Sequence, residues 1–322
     1  MARIDAPAAA SAARLPWIDA ARGAAILAMI VYHFSWDLRF FGFIAADVTG
    51  DPGWRMFARS IAGTFLALVG VSLVLATRRG LDRSRFLRRL GIVAAAAVAV
   101  TAATRLAMPD SYVFFGILHA IAVSSVLGLA FVRAPLPVVI AASIFCFVAP
   151  ALLSGPTFDA PPLLWLGLST YTPRSNDYVP VFPWFGVVLA GIGLVRLVRL
   201  VRPGWLQLLV RPAPRQLVWA GRHSLAIYLL HQPILIGLVY LAAQISPPDL
   251  LNLQASFLES CSAACVESDQ ELPFCRRTCA CLAARTQTEG LWNGLIRETL
   301  SESELDRYWT IASECRQAAE GP

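Results

Sequence analysis

Residues 136–154, LPVVIAASIFCFVAPALLS, contain no charged side chain in 19 consecutive positions. An α-helix rises about 1.5 Å per residue, so about 20 apolar residues are needed to cross the hydrocarbon core of a membrane. Comparable apolar segments recur up to residue 244, and the whole chain is 57% hydrophobic and 15% charged. Soluble domains carry about 25% charged residues. The sequence therefore predicts an all-α, polytopic transmembrane helix bundle and excludes an ordinary soluble domain.

Seven segments of residues 1–244 satisfy this length requirement and predict about seven transmembrane helices. Their predicted bounds are 17–38, 59–77, 89–108, 114–132, 136–154, 183–201 and 217–243. Residues 1–16 contain no separate cleavage signal, so we expect the first segment to be a retained helix and not a signal peptide. Residues 245–322 are polar and cysteine-rich, and they predict a separate, small α-helical tail domain outside the membrane.

Arginine is distributed unevenly over the predicted loops. Residues 1–244 hold 21 Arg and 9 Asp, with no Lys and no Glu. Fourteen of these Arg, including Arg3, Arg14 and the six between positions 78 and 89, lie on one side of the predicted membrane, whereas five lie on the other. The positive-inside rule assigns the fourteen to the cytoplasm. With seven spans, this predicts a cytoplasmic N-terminus and a tail on the external face.

Composition also bears on location and partners. An Arg- and Ala-rich chain without Lys suggests a GC-rich bacterial genome, and hence the bacterial inner membrane with a periplasmic tail. The pI is about 9.2. Because the Arg residues cluster at helix ends, we interpret this positive charge as a signal that orients the protein in the lipid bilayer, and we predict no nucleic-acid partner. An oligomer is compatible with the sequence, which does not predict its size.

The tail carries six cysteines, four of them in two CxxxC pairs. The pairs are Cys261/Cys265 and Cys275/Cys279, and the other two are Cys281 and Cys315. The i,i+4 spacing puts both sulfurs of a pair on one helix face. Two antiparallel helices would favour Cys261–Cys279 and Cys265–Cys275, although six cysteines permit fifteen connectivities. The alternative is a zinc site in a reducing compartment, but a tail outside the cytoplasm favours disulfides and no metal.

Ionisable side chains inside a membrane are costly and point to function. Three of the four histidines, His33, His119 and His231, fall within predicted spans, and the predicted topology allows them to converge at one depth. The alternative is that each merely hydrogen-bonds a neighbouring helix. The fourth, His223, lies beside Arg222 near the cytoplasmic end of the last span and is expected at the membrane interface.

Five short motifs occur in order along the membrane part of the chain. They are IDAARGAAILAMIVYHFSWDL at 18–38, IAGTFLALVGVS at 61–72, FGILH at 115–119, DYVPVFPWFG at 177–186 and GRHSLAIYLLHQP at 221–233. Together they cover about residues 14–243, and the chain resembles the heparan-alpha-glucosaminide N-acetyltransferase catalytic-domain family. The first motif is also similar to the wider membrane acyltransferases, in which Asp-x-x-Arg-Gly precedes a His by about the same distance. The tail lies outside the resemblance.

The resemblance implies transfer of an acetyl group from cytoplasmic acetyl-CoA to an envelope glycan or lipid-linked sugar on the external face. Neutral imidazole can serve such a reaction as general base or nucleophile. His33 is the first candidate, with Asp37 one turn later to orient its ring, and His119 and His231 are the next. The family carries a catalytic His in the external loop after its first helix, whereas residues 39–58 contain none, so His33 follows the wider acyltransferase pattern.

Arginine near the start of the third span supplies candidates for cofactor binding. Arg85, Arg88 and Arg89 could bind the phosphates of CoA through their bidentate guanidinium groups. Asp19 and Arg22 are i,i+3 neighbours that we expect to form an ion pair, which is either structural or holds the thioester end of the cofactor. The alternative for the arginine cluster is that it only orients the protein in the membrane.

The external loop 155–182 is long, and long loops in compact bundles are often functional. Asp177 and Tyr178 offer hydrogen-bonding groups for a carbohydrate acceptor. The alternative is an aromatic belt at the membrane interface. Two classes without catalysis also fit the sequence: a membrane scaffold, or a transporter, with the Cys-rich tail as an external binding module.

Overall fold

The structure is a computed structural model. It describes residues 15–44, 46–78, 80–246, 250–268, 270–296 and 300–320. In these ranges the chain forms α-helices, numbered α1 to α13, with two short 3₁₀ turns at Pro156–Asp159 and Pro161–Leu166 and an isolated bridge between Arg78 and Gly80. The predicted all-α class is confirmed. Arg3 and Arg14, which entered the predicted orientation, lie outside the described residues.

Five of the described helices are long and apolar enough to cross a membrane. They are α2 (Pro52–Ala76), α3 (Arg83–Ala107), α5 (Leu136–Leu153), α6 (Val181–Val201) and α9 (Ser224–Ile245). Helix α4 (Ile117–Phe131) is apolar but shorter, and α1 (Pro16–Phe40) has 25 residues but carries two charged residues near each end. The chain is a multi-pass membrane protein, and every predicted span overlaps one or two of these helices. The count of seven crossings stays a prediction, because α1 and α4 do not meet both requirements.

The predicted span 217–243 is divided into two helices. Helix α8 (Arg215–Arg222) is followed by His223, and α9 begins at Ser224. The backbone N–H of His223 donates to the Trp219 carbonyl at 3.1 Å, and the ring Nδ1 lies 2.9 Å from the same oxygen. His223 therefore caps the end of α8, and its exposed position agrees with an interfacial residue.

The chain divides into two compact units, and the first runs up to Val31 and from Met56 to Gln232. Its apolar core includes Leu66 and Leu73 of α2 and Val188 of α6. A Cβ atom on Gly70 would lie 2.0 Å from the Val188 carbonyl oxygen, so glycine allows α2 and α6 to approach closely. Small residues at helix contacts are the usual means of packing transmembrane helices.

The second unit consists of Tyr32–Arg55 and the chain from Pro233 onward. Its C-terminal part contains α10 (Leu250–Glu267), α11 (Leu272–Thr288), α12 (Trp292–Ile296) and α13 (Glu302–Glu320). Helices α11 and α13 pack around a core that includes Leu282, Leu291 and Ile311. The predicted boundary between residues 244 and 245 remains a prediction, since this unit also contains the end of α1 and most of α9.

Three disulfides join the helices of the tail. They are Cys261–Cys279, Cys265–Cys275 and Cys281–Cys315. The first two are the pairs that the antiparallel arrangement of α10 and α11 favours, and the third links α11 to α13. A thin core of this kind needs such cross-links, because a small domain buries little apolar surface.

The loop after α1 contacts the tail within the second unit. Arg39 forms salt bridges with Glu259 of α10 and with Asp47, the latter at 3.7 Å. The side-chain amide of Asn252 donates to the Phe43 carbonyl at 3.1 Å. The loop after α1 therefore packs against helix α10.

Candidate functional site

A cavity of about 510 Å³ opens among helices α1, α2, α3, α4, α8 and α9 of the first unit. Six charged side chains line it: Asp19, Arg22, Arg85, Arg88, Arg89 and Arg222. Most of the remaining wall is apolar, contributed by residues such as Phe65, Val69 and Ile117. The structure thus brings all five residues predicted to bind the cofactor to one cavity, and it adds Arg222. Five guanidinium groups and one carboxylate give this cavity a strongly positive wall.

Close packing of α1 against α8 builds one side of the cavity. A Cβ atom on Gly221 would lie 1.8 Å from the Asp19 carbonyl oxygen, and one on Gly23 would lie 2.0 Å from that of Leu217. Only glycine fits at these two crossing points. The close approach brings Asp19 to 3.6 Å from Arg222, and Arg22, three residues after Asp19 on α1, lies 3.0 Å from it. The predicted ion pair is therefore present, and Asp19 holds two guanidinium groups at the cavity.

The first two turns of α3 build the opposite side. Asp82 caps this helix by accepting the backbone N–H of Arg85 at 3.0 Å. Arg85, Arg88 and Arg89 then share one face at i, i+3 and i+4 spacing. Arg88 and Arg89 form no salt bridge within the described part of the chain, and all three side chains are exposed. Cations at a helix N-terminus are disfavoured by the positive end of the helix dipole. An anion bound between these arginines would be favoured by their charges and by the dipole.

The other end of the cavity lies beside the start of α4. Thr101, far along α3 from its arginines, contacts His119 and the Val113 carbonyl, which places the N-terminal turn of α4 against the end of α3. Ile117 and Tyr228 line the cavity at this level. The cavity therefore leads from an arginine-rich end to an apolar end that has the Tyr228 side chain in its wall.

Asp177 connects the loop before α6 to this apolar end. Its Oδ2 accepts the Ile117 backbone N–H at 2.8 Å and lies 3.5 Å from the Tyr228 hydroxyl. Burial raises the pKa of the Asp177 carboxyl, and these two hydrogen bonds act in the opposite direction. Tyr178 donates its hydroxyl to the Leu164 carbonyl at 2.6 Å. Both residues predicted to bind the acceptor thus also hold the fold together, and their acceptor role remains a prediction.

The ring nitrogens of His119 are both engaged at the start of α4. Nδ1 accepts the Gly116 backbone N–H at 3.2 Å, and Nε2 lies 3.3 Å from the Thr101 hydroxyl. Because that hydroxyl donates to the Val113 carbonyl at 2.7 Å, it accepts a hydrogen bond from Nε2–H. These partners fix the neutral Nε2–H tautomer and give His119 a positioning role in this geometry.

His231 presents the opposite tautomer. Its Nδ1 lies 2.7 Å from the Tyr228 carbonyl, and a carbonyl only accepts, so Nδ1 carries the hydrogen. In the neutral ring Nε2 then holds the lone pair that a base or nucleophile requires. His231 is 8% exposed and lies one turn after Tyr228 on α9.

His33 and Asp37 lie near the end of α1, in the second unit. His33 is partly buried, with its ring 5.6 Å from that of Tyr32, and Asp37 is buried. His119 and His231 belong to the first unit. The predicted convergence of the three histidines, and the pairing of His33 with Asp37, therefore stay predictions.

Sequence reasoning assigned Arg222 and Tyr228 to a span and gave neither a role at the site. Both occur in the motif at 221–233, where Gly221 precedes Arg222. A glycine followed by an arginine in a helix near the membrane surface is a pattern that indicates a close helix crossing with a cation next to it. The missing information was the partner helix, since Gly221 and Asp19 are far apart in sequence.

Comparison with known proteins gives one family. The model of the family described as "Heparan-alpha-glucosaminide N-acetyltransferase, catalytic" matches residues 14–233. The match covers more than half of the chain, includes every residue that lines the 510 Å³ cavity, and ends before the cysteine-rich tail. No curated protein and no solved structure matches the chain significantly.

Proposed function

The chain belongs to the heparan-alpha-glucosaminide N-acetyltransferase catalytic-domain family, and from that premise we propose that it transfers an acetyl group from acetyl-CoA to an envelope glycan or lipid-linked sugar. The family implies acetyltransferase activity, and the helices make the protein a multi-pass membrane protein. The observation that carries the proposal is the cavity with five arginines at one end and an apolar wall beyond them.

The shape and charge of this cavity suit acetyl-CoA as donor. CoA carries its phosphates at one end and its thioester at the end of an extended pantetheine arm. Arg22, Arg85 and Arg88 would bind the phosphates through charge-assisted hydrogen bonds. The apolar wall would accommodate the arm, so that the acetyl group points toward Tyr228. A site of about 510 Å³ falls within the usual range for small-molecule pockets.

The transfer step needs a proton acceptor. A neutral imidazole removes the proton from the attacking hydroxyl or amine of the sugar, which then forms a bond to the thioester carbonyl carbon. The tetrahedral intermediate expels the CoA thiolate, which takes up the proton. If the imidazole acts first as nucleophile, the acetyl group passes through an acetyl-His before it reaches the acceptor. His33 is the proposed base or nucleophile, with Asp37 to orient it, and His231 and His119 follow in that order.

The proposed orientation places the arginine cavity at the cytoplasm and the acceptor on the external face. Support comes from the excess of arginine in loops on one side and from the Arg39–Glu259 contact, which requires the loop after α1 and the tail to share a side. Carbohydrate recognition by Asp177 and Tyr178 is part of the same proposal, since their loop is predicted to be external.

Binding of the donor can be tested through the arginines. Arg88→Gln in the full-length protein should weaken acetyl-CoA binding about tenfold or more, because a charge-assisted hydrogen bond contributes roughly 1.5–3 kcal/mol. Arg133→Gln is the matched control, since Arg133 is exposed and lines neither end of the cavity. Isothermal titration calorimetry of the purified proteins with acetyl-CoA measures the affinity of each variant.

Equal affinity of the two variants would reject the cavity as the donor site. The enzyme itself is tested with radiolabelled acetyl-CoA and fractionated envelope glycans, in which label should move to a glycan fraction. A protein that binds acetyl-CoA but transfers no label to any acceptor or to water would favour the non-catalytic scaffold.

A further inference from the structure

A second cavity, of about 650 Å³, lies beside the first and is formed mainly by α2, α3 and α4. The two cavities share five lining residues: Val69, Arg85, Arg89, Val93 and Ile121. Only the second contains Arg78, which follows the end of α2. Its wall is otherwise largely apolar, with Leu73, Phe86 and Ile121 among the side chains that line it.

The positive charge of this cavity is not balanced by its one acidic residue. Asp82 accepts the backbone N–H of Arg85 at 3.0 Å and lies 3.8 Å from the Arg85 side chain. It is therefore occupied as the N-cap of α3. Arg78 and Arg89 form no salt bridge within the ranges that the structure describes. Among the described residues, the cavity thus presents two guanidinium groups that form no salt bridge beside an apolar wall, although the charge of Asp19 in the first cavity acts on Arg89.

Two further arginines of the same unit lie at the end of α6. The charges of Arg78 and Arg196 both act on Arg199. Arg196 donates to the Ala134 carbonyl, whereas Nε and Nη2 of Arg199 are buried without a hydrogen-bond partner among the described residues. An arginine that served only to orient the chain would extend its charged group into water. Arg199 as a whole is half-buried, and its two buried donor atoms beside like charges are costly unless an anion compensates them.

An apolar wall beside a cluster of cations matches an amphiphile with an anionic head. Basic pockets between transmembrane helices at the cytoplasmic leaflet bind the head groups of anionic lipids. We propose that the second cavity binds an anionic phospholipid of the bilayer, with its phosphate at Arg78 and Arg89 and an acyl chain along Leu73 and Ile121. Arg196 and Arg199 reinforce the positive potential behind Arg78. This lipid site adjoins the proposed donor cavity and shares Arg85 and Arg89 with it, whereas Arg78 belongs to the second cavity alone.

The experiment measures lipid binding to the full-length protein without acetyl-CoA. Native mass spectrometry of detergent-solubilised protein would follow titration with dioleoylphosphatidylglycerol, and with dioleoylphosphatidylcholine as the zwitterionic comparison. Wild-type protein should bind phosphatidylglycerol in preference to phosphatidylcholine. Arg78→Gln should weaken phosphatidylglycerol binding about fivefold, whereas Arg133→Gln, an exposed arginine outside both cavities, should keep the wild-type affinity.

Three results would overturn the proposal. Equal loss in Arg78→Gln and Arg133→Gln would mean that only general surface charge attracts the lipid. Equal binding of phosphatidylglycerol and phosphatidylcholine would mean that the arginines do not recognise the charge of the head group. Loss of acetyl-CoA affinity in Arg78→Gln with unaltered phosphatidylglycerol affinity would make the second cavity an extension of the donor site. Arg88 lines only the first cavity. If Arg88→Gln leaves acetyl-CoA affinity unchanged while Arg78→Gln weakens phosphatidylglycerol binding, the proposed donor site is refuted and the lipid site is supported.

Discussion

At the scale of single residues, the hydrogen bonds of His119 and His231 fix which ring nitrogen carries the hydrogen. His119 uses one nitrogen as acceptor and the other as donor within the start of α4. His231 donates from Nδ1 to a main-chain carbonyl and retains a lone pair on Nε2. The lone pair of neutral His119 accepts the Gly116 N–H, whereas the Nδ1–H tautomer puts that of His231 on Nε2. His119 instead orients the turn that also carries Ile117 at the cavity wall.

His33 remains the first candidate, and its replacement is the sharpest test at this scale. His33→Ala should lower the rate of acetyl transfer about 10²–10⁴-fold if the imidazole is a general base, and more completely if it is the nucleophile. Asp37→Asn should give a partial defect, because the ring would lose its orienting carboxylate. Single-turnover kinetics with labelled acetyl-CoA measure the rate, and acetyl-CoA titration confirms that binding persists. Near-normal turnover in a folded His33→Ala protein would transfer the role to His231.

The five residues predicted to bind the cofactor show how far a sequence predicts a site. Asp19, Arg22, Arg85, Arg88 and Arg89 lie in one cavity as the motif and the charge pattern suggested. Arg222 was missed, because its contribution depends on the α1–α8 crossing and not on its own position in a span. Local patterns predict which residues carry charge near a membrane surface, but tertiary packing determines which of them meet.

At the scale of elements, the crossing of α1 and α8 holds the cavity together, and a single methyl group tests it. Gly221→Ala would place Cβ 1.8 Å from the Asp19 carbonyl oxygen, so the helices must separate. We expect a loss of about 1–3 kcal/mol in stability and weaker acetyl-CoA binding, because Asp19 would no longer hold Arg222. Gly91→Ala is the control, since a Cβ atom on Gly91 of α3 would meet no atom within 4 Å apart from the neighbouring backbone of its own helix. Thermal unfolding in detergent compares the two, and equal midpoints would contradict the crossing.

The disulfides of the tail differ in the length of chain that each closes. Cys281–Cys315 spans 34 residues and Cys265–Cys275 spans 10. A longer closed loop restricts the unfolded chain more, and removal of a native disulfide from a small domain costs about 2–5 kcal/mol. Replacing Cys281 and Cys315 together with Ser should therefore destabilise the tail more than the same change at Cys265 and Cys275. Limited proteolysis of the full-length protein would measure tail opening, and the reverse order would show that loop length does not dominate.

The three disulfides of the tail show what a sequence can predict about helix packing and what it cannot. The two CxxxC pairs fixed the register of α10 against α11, because i,i+4 sulfurs share a helix face. Cys281 and Cys315 carried no such spacing, and their bridge depends on how α13 packs against α11. Helix bounds were predicted to within a few residues for most spans. The break at His223 was missed, because the apolar residues at 217–220 continue the apolar pattern of α9, although α8 itself begins and ends with Arg.

For the whole molecule, the membrane class follows from composition, whereas the grouping of its parts depends on long-range contacts. A chain with 57% hydrophobic residues in long runs cannot hide them in a soluble core. By contrast, Arg39 and Glu259 are 220 positions apart, and nothing local to either residue predicts their salt bridge. The tail therefore shares a compact unit with the loop after α1, although its sequence suggested an independent module.

This contact sharpens the prediction of topology, the last and broadest test. Residue 80 lies in the arginine-rich loop before α3, residue 170 in the loop before α6 and residue 300 in the tail. Reporter fusions at these positions should read cytoplasmic, external and external, because the arginine excess marks the cytoplasmic side. A fusion at residue 46, after α1, supplies the control: it should give the same side as residue 300, since Arg39 and Glu259 are in contact. A cytoplasmic signal at residue 300 with an external one at residue 46 would contradict that contact. Cytoplasmic signals at both would instead invert the whole orientation, and with it the assignment of the arginine cavity to the side that supplies acetyl-CoA.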